Sequence, residues 1–246
     1  MLVNSEGIVL KQRKIANNRR MITLFTKNYG KISAGTSMTE KGKGKSALAL
    51  RPFTYADYDI FKTRETYNIN SAQVKKSYYS IGEDLDRFAV ASKLLEYLDK
   101  ILEDEQARPK LFDMTIEFFE SITRANANYE TLLYAFIFKT LRMQGVMPEI
   151  KGCVYCGKPS NVFSIPAGGI ICEDCIKKEN ESLHKLIYRP TFDIIETVKY
   201  FVTSPLKQFE KISLKPEVSN QIRDILTEYV DYYLGIDVLK KNDGWR

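Results

Sequence analysis

The sequence is poor in histidine, and this scarcity removes whole classes of catalytic chemistry. His184 is the single histidine among 246 residues, and no H-E-x-x-H or H-x-E element surrounds it. Zinc proteases and deaminases depend on such elements, and triad hydrolases need a histidine base. No spacing singles out a paired carboxylate site either. The sequence therefore predicts a protein that is not an enzyme, with His184 as a surface or packed residue.

Long apolar segments are also lacking. No run approaches the roughly 18 residues that are read as a membrane-spanning helix. The N-terminus has no basic segment followed by an apolar one, as a secretory signal would have. We therefore expect a soluble, cytoplasmic protein without a membrane partner.

A phosphate-binding loop is absent as well. Gly44-Lys45-Ser46 ends like a P-loop, but that motif needs a glycine at position 39, where the sequence has Thr39. The segment also does not run from a buried strand into an apolar helix. We expect no nucleotide cofactor.

Positive charge is concentrated in the first third of the chain. The formal net charge is +6, yet residues 1–81 hold 15 Lys and Arg against 5 Asp and Glu, and the remainder holds 22 against 26. Such a basic region attracts a polyanion, although a lysine-rich solvated surface would give the same count. The asymmetry favours two domains with two roles.

The first 80 residues favour a small β-barrel. Five short segments rich in β-branched and aromatic residues are separated by turn signals such as Asn28-Tyr29-Gly30. Five strands in about 75 residues fit a closed barrel, and the OB-fold is the common barrel of that size. Residues 35–46 break the pattern with Lys41, Lys43 and Lys45, which predicts a mobile basic loop.

After Glu83 the apolar residues recur at helical spacing. Pro109 and Asn128 mark the starts of a second and a third helix, and further helices are predicted over 191–203 and Pro216–Leu234. The predicted fold class is α+β. An N-terminal OB-fold β-barrel (1–81) precedes an all-helical domain (82–246) with a four-cysteine, zinc-ribbon-like insert (150–178). The expected inward face of the first helix is Leu85, Phe88, Ala91, Leu95, Leu98 and Leu102.

Four cysteines in two C-x-x-C pairs carry the strongest chemical signal. Fifteen residues separate Cys153 and Cys156 from Cys172 and Cys175, which is the spacing of zinc ribbons. Two such knuckles complete a tetrahedron of thiolates with no open position for water, so we expect one structural Zn²⁺ ion. Two disulfides, four unrelated buried thiols and a tetrathiolate iron site are the alternatives.

The candidate nucleic-acid residues lie in the basic first third. Single-strand binders combine cations along the phosphates with aromatic platforms for the bases. Phe25, Tyr29, Phe53, Tyr55 and Tyr58 are interleaved with the cations, although each would equally serve a barrel core. All members of the basic set except Lys27 are candidate DNA-binding residues, and the set is Lys11, Arg13, Lys14, Arg19, Arg20, Lys27, Lys31, Lys41, Lys43, Lys45 and Arg51.

These features resemble the RecO family of recombination mediators over nearly the whole chain. The four-cysteine motif alone is shared by many zinc ribbons, but its position after a glycine-terminated helix and behind a basic barrel is more specific. The residues that carry the resemblance are Glu6–Leu10, Leu24–Thr26, Tyr29-Gly30, Ala34-Gly35, Leu50–Phe53, Phe138–Gly145, Pro148, Cys153–Lys158, Phe163, Gly168-Gly169, Cys172–Cys175 and Ile222–Leu239.

The resemblance implies a role in DNA repair and homologous recombination. It implies binding of single- and double-stranded DNA, annealing of complementary strands, and help in loading recombinase onto strands coated with single-strand-binding protein. The implied partners are RecR and the acidic C-terminal tail of single-strand-binding protein, with the tail site on the helical domain. The implied location is the bacterial cytoplasm, at the nucleoid.

This sequence departs from the family pattern in one loop. Family members often carry an arginine-rich run after the third strand, where this chain has Thr36–Glu40 and then lysines. Lysine binds phosphate as a point charge, without the fork of arginine. Because some relatives lack the four cysteines, zinc is expected to support stability here. An adaptor that binds RNA or another protein is the alternative function, and a metal-dependent nuclease is disfavoured because no carboxylate cluster is present.

Overall fold

The computed structural model describes residues 1–15, 19–38, 45–126, 128–178, 186–190, 193–237 and 239, and for residues 45 and 46 the backbone alone. Contacts divide the chain into two compact units, Met1–Arg124 and Ala125–Arg246. The barrel and the first two long helices belong to the first unit. The domain boundary at residue 81 stays a prediction.

A closed five-stranded barrel forms the centre of the first unit. Its strands are hydrogen-bonded in the order β1-β2-β3-β5-β4, and β1 closes the barrel against β4. All pairs are antiparallel except β3 and β5, which run parallel. A small five-stranded barrel of this kind is an OB-fold, so the predicted fold class is confirmed. The strands are β1 Leu2–Lys14, β2 Arg20–Thr26, β3 Gly30–Thr36, β4 Thr54–Lys62 and β5 Tyr67–Ser77.

β1 is long enough to pair with two strands and so closes the barrel, and burial alternates along the strands. β4 alternates buried and half-buried side chains over most of its length, as period-two patterning requires. A register irregularity between Val9 and Lys11 bends β1, so that its first half pairs with β4 and its second half with β2. The short helix α1, Lys45–Ala49, follows β3, and Ala49 joins the barrel core. The predicted loop over 35–46 thus includes the end of β3 and the start of α1, while residues 39–44 lie outside the described part.

Two helices pack on the barrel wall within the first unit. A 3-10 helix, Tyr79–Glu83, leads into α2, Leu85–Ile101, and α3 is Pro109–Arg124. The side chain of Asp84 caps α2 by accepting a hydrogen bond from the Arg87 amide at 2.8 Å. On α3, the Phe112 ring lies 5.3 Å from the Phe25 ring of β2, between centroids.

The predicted inward face of α2 is correct over its later turns and wrong at its start. Ala91, Leu95 and Leu98 are buried, but Leu85 is 81% exposed and Phe88 is 45% exposed. Periodicity gives the side of the helix and not the extent of the surface that covers it, and the barrel does not cover the first turn of α2.

The second unit consists of helices around a small cysteine-containing insert. α4 is buried on most sides, with Phe136 and Ile137 inaccessible to solvent. The insert has a three-stranded sheet in the order β7-β6-β8. No helix in the described part of the chain is long and apolar enough to cross a membrane. The elements are α4 Tyr129–Met143, β6 Phe163–Ser164, β7 Gly169–Ile170, α5 Glu173–Ile176, β8 Ile187–Tyr188, α6 Ile194–Thr203, a 3-10 helix Leu206–Lys211, and α7 Pro216–Leu234.

The helix boundaries follow the signals in the sequence. Pro216 occupies the first position of α7, and Gly235 ends it with φ of 65°. Asn128 precedes α4 as predicted, with φ of 56°, but its side chain does not cap the helix. Its amide instead contacts the hydroxyl of Ser213.

Candidate functional site

The four cysteines come together as one cluster in the second unit. Their Sγ atoms all lie within 4.8 Å of one another. A tetrahedral Zn²⁺ ion with Zn–S bonds of about 2.3 Å would place the sulfurs about 3.8 Å apart, which this spacing accommodates. All four thiols are free of disulfides, and the Sγ atoms of Cys156 and Cys172 are 3.5 Å apart. The structure therefore has no disulfide among these cysteines, and the donor set fits one thiophilic metal ion.

Backbone turns aim the thiols at one point. In the first knuckle, the Cys153 amide donates to the Lys158 carbonyl at 2.9 Å, and the Gly157 amide donates to the Cys153 carbonyl at 2.8 Å. Gly157 has φ of 73°, which a residue with a Cβ adopts only with strain. In the second knuckle, the Cys175 amide donates to the Cys172 carbonyl at 3.0 Å as α5 begins.

Hydrogen bonding within the cluster shifts the pKa values of Cys153 and Cys175 in opposite directions. Burial opposes ionisation of Cys153, but hydrogen bonds from the backbone amides of Cys172, Cys156 and Tyr155 outweigh it and lower the pKa of Cys153 to about 6. Hydrogen bonding with Cys172 and burial raise the pKa of Cys175 to about 12. Several thiolates at this spacing repel one another unless a cation neutralises them. A metal ion that binds such thiols takes them as thiolates and displaces their protons.

The insert is fixed to the end of α7 within the same unit. The Tyr233 hydroxyl donates to the Ile165 carbonyl at 3.0 Å, and the rings of Phe163 and Tyr229 lie 6.0 Å apart between centroids. Gly169 is needed for close approach, because a Cβ there would lie 2.2 Å from the Glu149 carbonyl oxygen. The cluster therefore tethers the segment that covers part of α7.

A basic hairpin forms one end of the barrel in the first unit. Arg13 and Lys14 end β1, Arg19 and Arg20 lead into β2, and Lys14 pairs with Arg20 across the ladder. Arg13 and Lys14 are exposed and make no ion pair with any residue that the structure describes. The Arg20 guanidinium donates to the Gln12 side-chain oxygen at 2.8 Å, and that of Arg19 lies 3.4 Å from the Asn68 side-chain oxygen. The structure brings these four predicted residues together.

Lys11 and Lys31 point instead to the barrel wall, where carboxylates meet them. The Lys11 ammonium lies 2.6 Å from an Asp99 carboxylate oxygen of α2. The Lys31 ammonium lies 3.4 Å from an Asp104 carboxylate oxygen and donates to the Asp99 carbonyl at 2.9 Å. The Lys31 side chain is only 18% exposed. Both lysines are thus engaged by the segment at the end of α2.

The acidic residues of α2 and α3 neutralise further lysines of the barrel. The Lys27 ammonium lies 2.7 Å from an Asp113 carboxylate oxygen, and a hydrogen bond with Asp113 raises the pKa of Lys27. The Lys76 ammonium lies 2.9 Å from Glu120. The excess positive charge of residues 1–81 is therefore partly compensated on the helix-facing wall, whereas Arg13 and Lys14 meet no carboxylate among the described residues.

A polar cluster on the same wall centres on Glu6. Its carboxylate accepts hydrogen bonds from the Tyr55 hydroxyl at 2.7 Å and from Lys75. Hydrogen bonds from Lys75 and then from Tyr55 hold the pKa of Glu6 below its ordinary value of 4.5. Sequence analysis missed this cluster because its members come from three strands that only the barrel brings together.

The remaining predicted residues are placed as follows. Arg51 is exposed in the turn between α1 and β4, and no described carboxylate pairs with it. Lys41, Lys43 and His184 lie outside the described residues, and of Lys45 only the backbone is described. Their predicted roles stay predictions. Of the five aromatic candidates, Phe25, Phe53 and Tyr58 are buried in packing.

Comparison with known proteins finds a family match for each half of the chain. The model of the recombination protein O N-terminal domain matches residues 1–78, and that of the C-terminal domain matches residues 82–243. A DNA repair protein RecO from Caldanaerobacter subterraneus is 30% identical over 244 residues, covering 98% of this chain and 96% of the relative. DNA repair proteins RecO from Alkaliphilus metalliredigens (28% identical; 95% and 94% covered) and Bacillus pumilus (29%; 98% and 93%) are also similar. On this match, the chain belongs to the RecO family of DNA repair proteins.

Proposed function

We propose that this protein is a recombination mediator that binds single- and double-stranded DNA, anneals complementary strands, and helps to load recombinase onto strands coated with single-strand-binding protein. Membership of the RecO family supports this role in DNA repair. The proposed role contains no catalytic step and needs no nucleotide cofactor.

The observation that carries the proposal is the charge of Arg13 and Lys14 in the hairpin, which no carboxylate of the described residues meets. Arg20 pairs with Lys14 across the ladder and Arg19 precedes it, whereas the carboxylates of α2 and α3 are engaged by Lys11 and Lys27. Cations that meet no carboxylate in the free protein are open to phosphates, and the release of the counterions condensed on the DNA then drives nucleic-acid binding. The hairpin is therefore the part of the described surface that is best suited to a DNA backbone.

Annealing follows from the same electrostatics. Two complementary strands repel each other through their phosphates, and a basic surface that binds both lowers that repulsion. Base pairing can then proceed without an energy source. The predicted lysine loop, Lys41, Lys43 and Lys45, would extend this surface beyond the end of β3.

The cysteine cluster is proposed to hold one Zn²⁺ ion through Cys153, Cys156, Cys172 and Cys175. With all four positions filled by thiolates, the ion would supply stability and no reaction chemistry. The ligands would tether the insert that supports Tyr229 and Tyr233 of α7. Iron in the same tetrathiolate set is the competing identity.

The proposed protein partners are RecR and the acidic C-terminal tail of single-strand-binding protein. The family resemblance supports both, and the tail is proposed to bind the helical domain.

The test is annealing of two complementary strands that are precoated with their cognate single-strand-binding protein, with and without this protein and without ATP. Acceleration by the wild-type protein, and its loss when Arg13 and Lys14 are changed to Glu, is the expected result. No acceleration by folded, metal-loaded protein would contradict the proposal. Preference for RNA over single-stranded DNA in competition would favour the adaptor function instead.

A further inference from the structure

A groove with an apolar floor lies between the barrel and α2 in the first unit. Leu10 of β1, Pro52 and Phe53 before β4, and Phe88 and Leu95 of α2 line it. Its volume is about 260 Å³, which suits a group of the size of one or two nucleobases. The polar lining is Lys11, Ser92, Glu96 and Asp99.

The aromatic side chains of the groove form a supported and partly uncovered platform. Phe88 is 45% exposed although it lies on the apolar stripe of α2. Its ring meets the Phe53 ring edge-on at 5.7 Å between centroids, and Phe53 in turn meets Phe119 at 5.9 Å. The backbone of Phe53 has φ of 60°, which large side chains rarely adopt. The ring of Phe88 is therefore held in place while part of it stays open to solvent.

The charges around the groove are arranged asymmetrically. Arg13 lies two residues beyond Lys11 on the same face of β1, about 7 Å along the strand, which is a distance that a nucleotide spans between its phosphate and its base. Arg51 directly precedes Pro52, and both arginines are exposed. On the opposite side, α2 presents Glu96, which pairs with Lys100 at 3.2 Å, and Asp99, which pairs with Lys11 at 2.6 Å.

This arrangement selects a nucleotide in one orientation. A phosphate is attracted to the exposed arginines, whereas the α2 side presents carboxylates that already pair with lysines. A base carries no net charge, and carboxylates accept hydrogen bonds from the amino groups of bases.

We propose that the groove receives one or two unstacked bases of single-stranded DNA, with Phe88 as the stacking platform and with the adjoining phosphates on the basic hairpin. This rests on the proposed DNA binding and deepens it. The groove would hold a strand with its bases splayed apart, a state that is open to pairing with a second strand.

The experiment compares two ligands of equal length and charge, namely an oligothymidine and an oligomer of abasic sites. Both have the same phosphates, so both share the electrostatic part of binding, and only the first can stack. Phe88→Ala should weaken oligothymidine binding about 5- to 150-fold per stacked base and leave abasic binding unchanged. Phe88→Leu keeps an apolar side chain without the ring, and it should show the same selective loss.

Phe61→Ala is the matched control. Phe61 is 49% exposed and lies near the far end of β4, about 26 Å along the strand from Phe53. It should leave both affinities unchanged. Photocrosslinking with 5-iodouracil in the oligomer should label the peptide that contains Phe88.

The outcomes separate this inference from the function on which it rests. If Phe88→Ala leaves oligothymidine binding unchanged, or weakens both ligands equally, the groove is not a base site. If Arg13→Glu with Lys14→Glu weakens both ligands at the same time, the hairpin still binds phosphate and only the groove proposal fails. If the hairpin variant has no effect on either ligand, the proposed DNA surface fails and the base site fails with it.

Discussion

Two pairs of basic residues, Arg13 with Lys14 and Lys11 with Lys31, carry equal formal charge but should contribute very differently to DNA binding. Changing Arg13 and Lys14 to Gln removes cations that meet no described carboxylate. Changing Lys11 and Lys31 to Gln removes cations that already lie 2.6 Å and 3.4 Å from carboxylates of Asp99 and Asp104. Each double variant lowers the formal charge by two, so total charge cannot explain a difference between them.

The size of the effect follows from counterion release. For a single strand, the slope of log K against log salt is about −0.7 per neutralised phosphate. Loss of two phosphate contacts should therefore flatten the slope by about 1.4. Between 50 and 200 mM salt, the Arg13 and Lys14 variant should lose about 7-fold less affinity than the wild type does. The variant that lacks Lys11 and Lys31 should keep the wild-type slope, because in the wild type these two lysines bind carboxylates and not phosphates.

Fluorescence anisotropy with a labelled oligothymidine at four or more salt concentrations measures these slopes. Thermal unfolding of each variant checks that the barrel is intact, since the Lys31 side chain is only 18% exposed. Equal flattening in both double variants would refute the reasoning, because it would show that Asp99 and Asp104 do not withhold their lysines from DNA.

Three further predictions concern stability. Cys153→Ser should release the metal. A loss of about 3 kcal/mol in the free energy of unfolding would lower the unfolding midpoint by about 6–12 °C in a chain of this size. Full metal content with an unchanged midpoint would contradict the site. Glu6→Gln should destabilise the fold by about 2 kcal/mol at pH 7. The pKa of Glu6 is lowered from 4.5 by Lys75 and Tyr55. The stability that its carboxylate contributes is therefore present above about pH 4.5 and is lost as the pH falls through the lowered value. If urea unfolding shows the same loss of stability in Glu6→Gln at pH 7 and at low pH, charge is not the cause. Gly169→Ala should disrupt the insert, because the new Cβ would lie 2.2 Å from a backbone oxygen. Gly157→Ala, with nothing within 4 Å of its Cβ, should cost only the roughly 1–2 kcal/mol of its positive φ; equal losses in the two variants would argue against the clash.

Local signals predicted the elements of this fold well. The five barrel strands, the start of α3 at Pro109 and the bounds of α7 follow from alternation, proline and glycine, which act within a few residues. The four-cysteine cluster could also be predicted from the sequence, because two C-x-x-C pairs at this spacing indicate one site without reference to the rest of the chain.

Properties that depend on tertiary packing could not be predicted in the same way. Charge counts indicated a basic first third, but they could not show that Asp99, Asp104 and Asp113 would meet its lysines on one wall. The apolar stripe of α2 predicted burial of Phe88, and only the shape of the barrel shows that this ring is left partly open. In both cases the partner is distant in sequence, so no local window contains it.

The pairing of β1 with β4 has a consequence for how the chain acquires its fold. Leu2 is paired with Phe61 and Ile8 with Tyr55, so the first strand emerges from the ribosome roughly 50 residues before its partner. At about 5–20 residues per second, the first half of β1 must wait several seconds for its partner, although the second half can pair with β2 sooner. Closing so long a loop slows folding further. The two cysteine knuckles span far fewer residues and can close as soon as they are synthesised. The first half of β1 is therefore an unpaired strand edge until β4 is synthesised, and such an edge is open to aggregation.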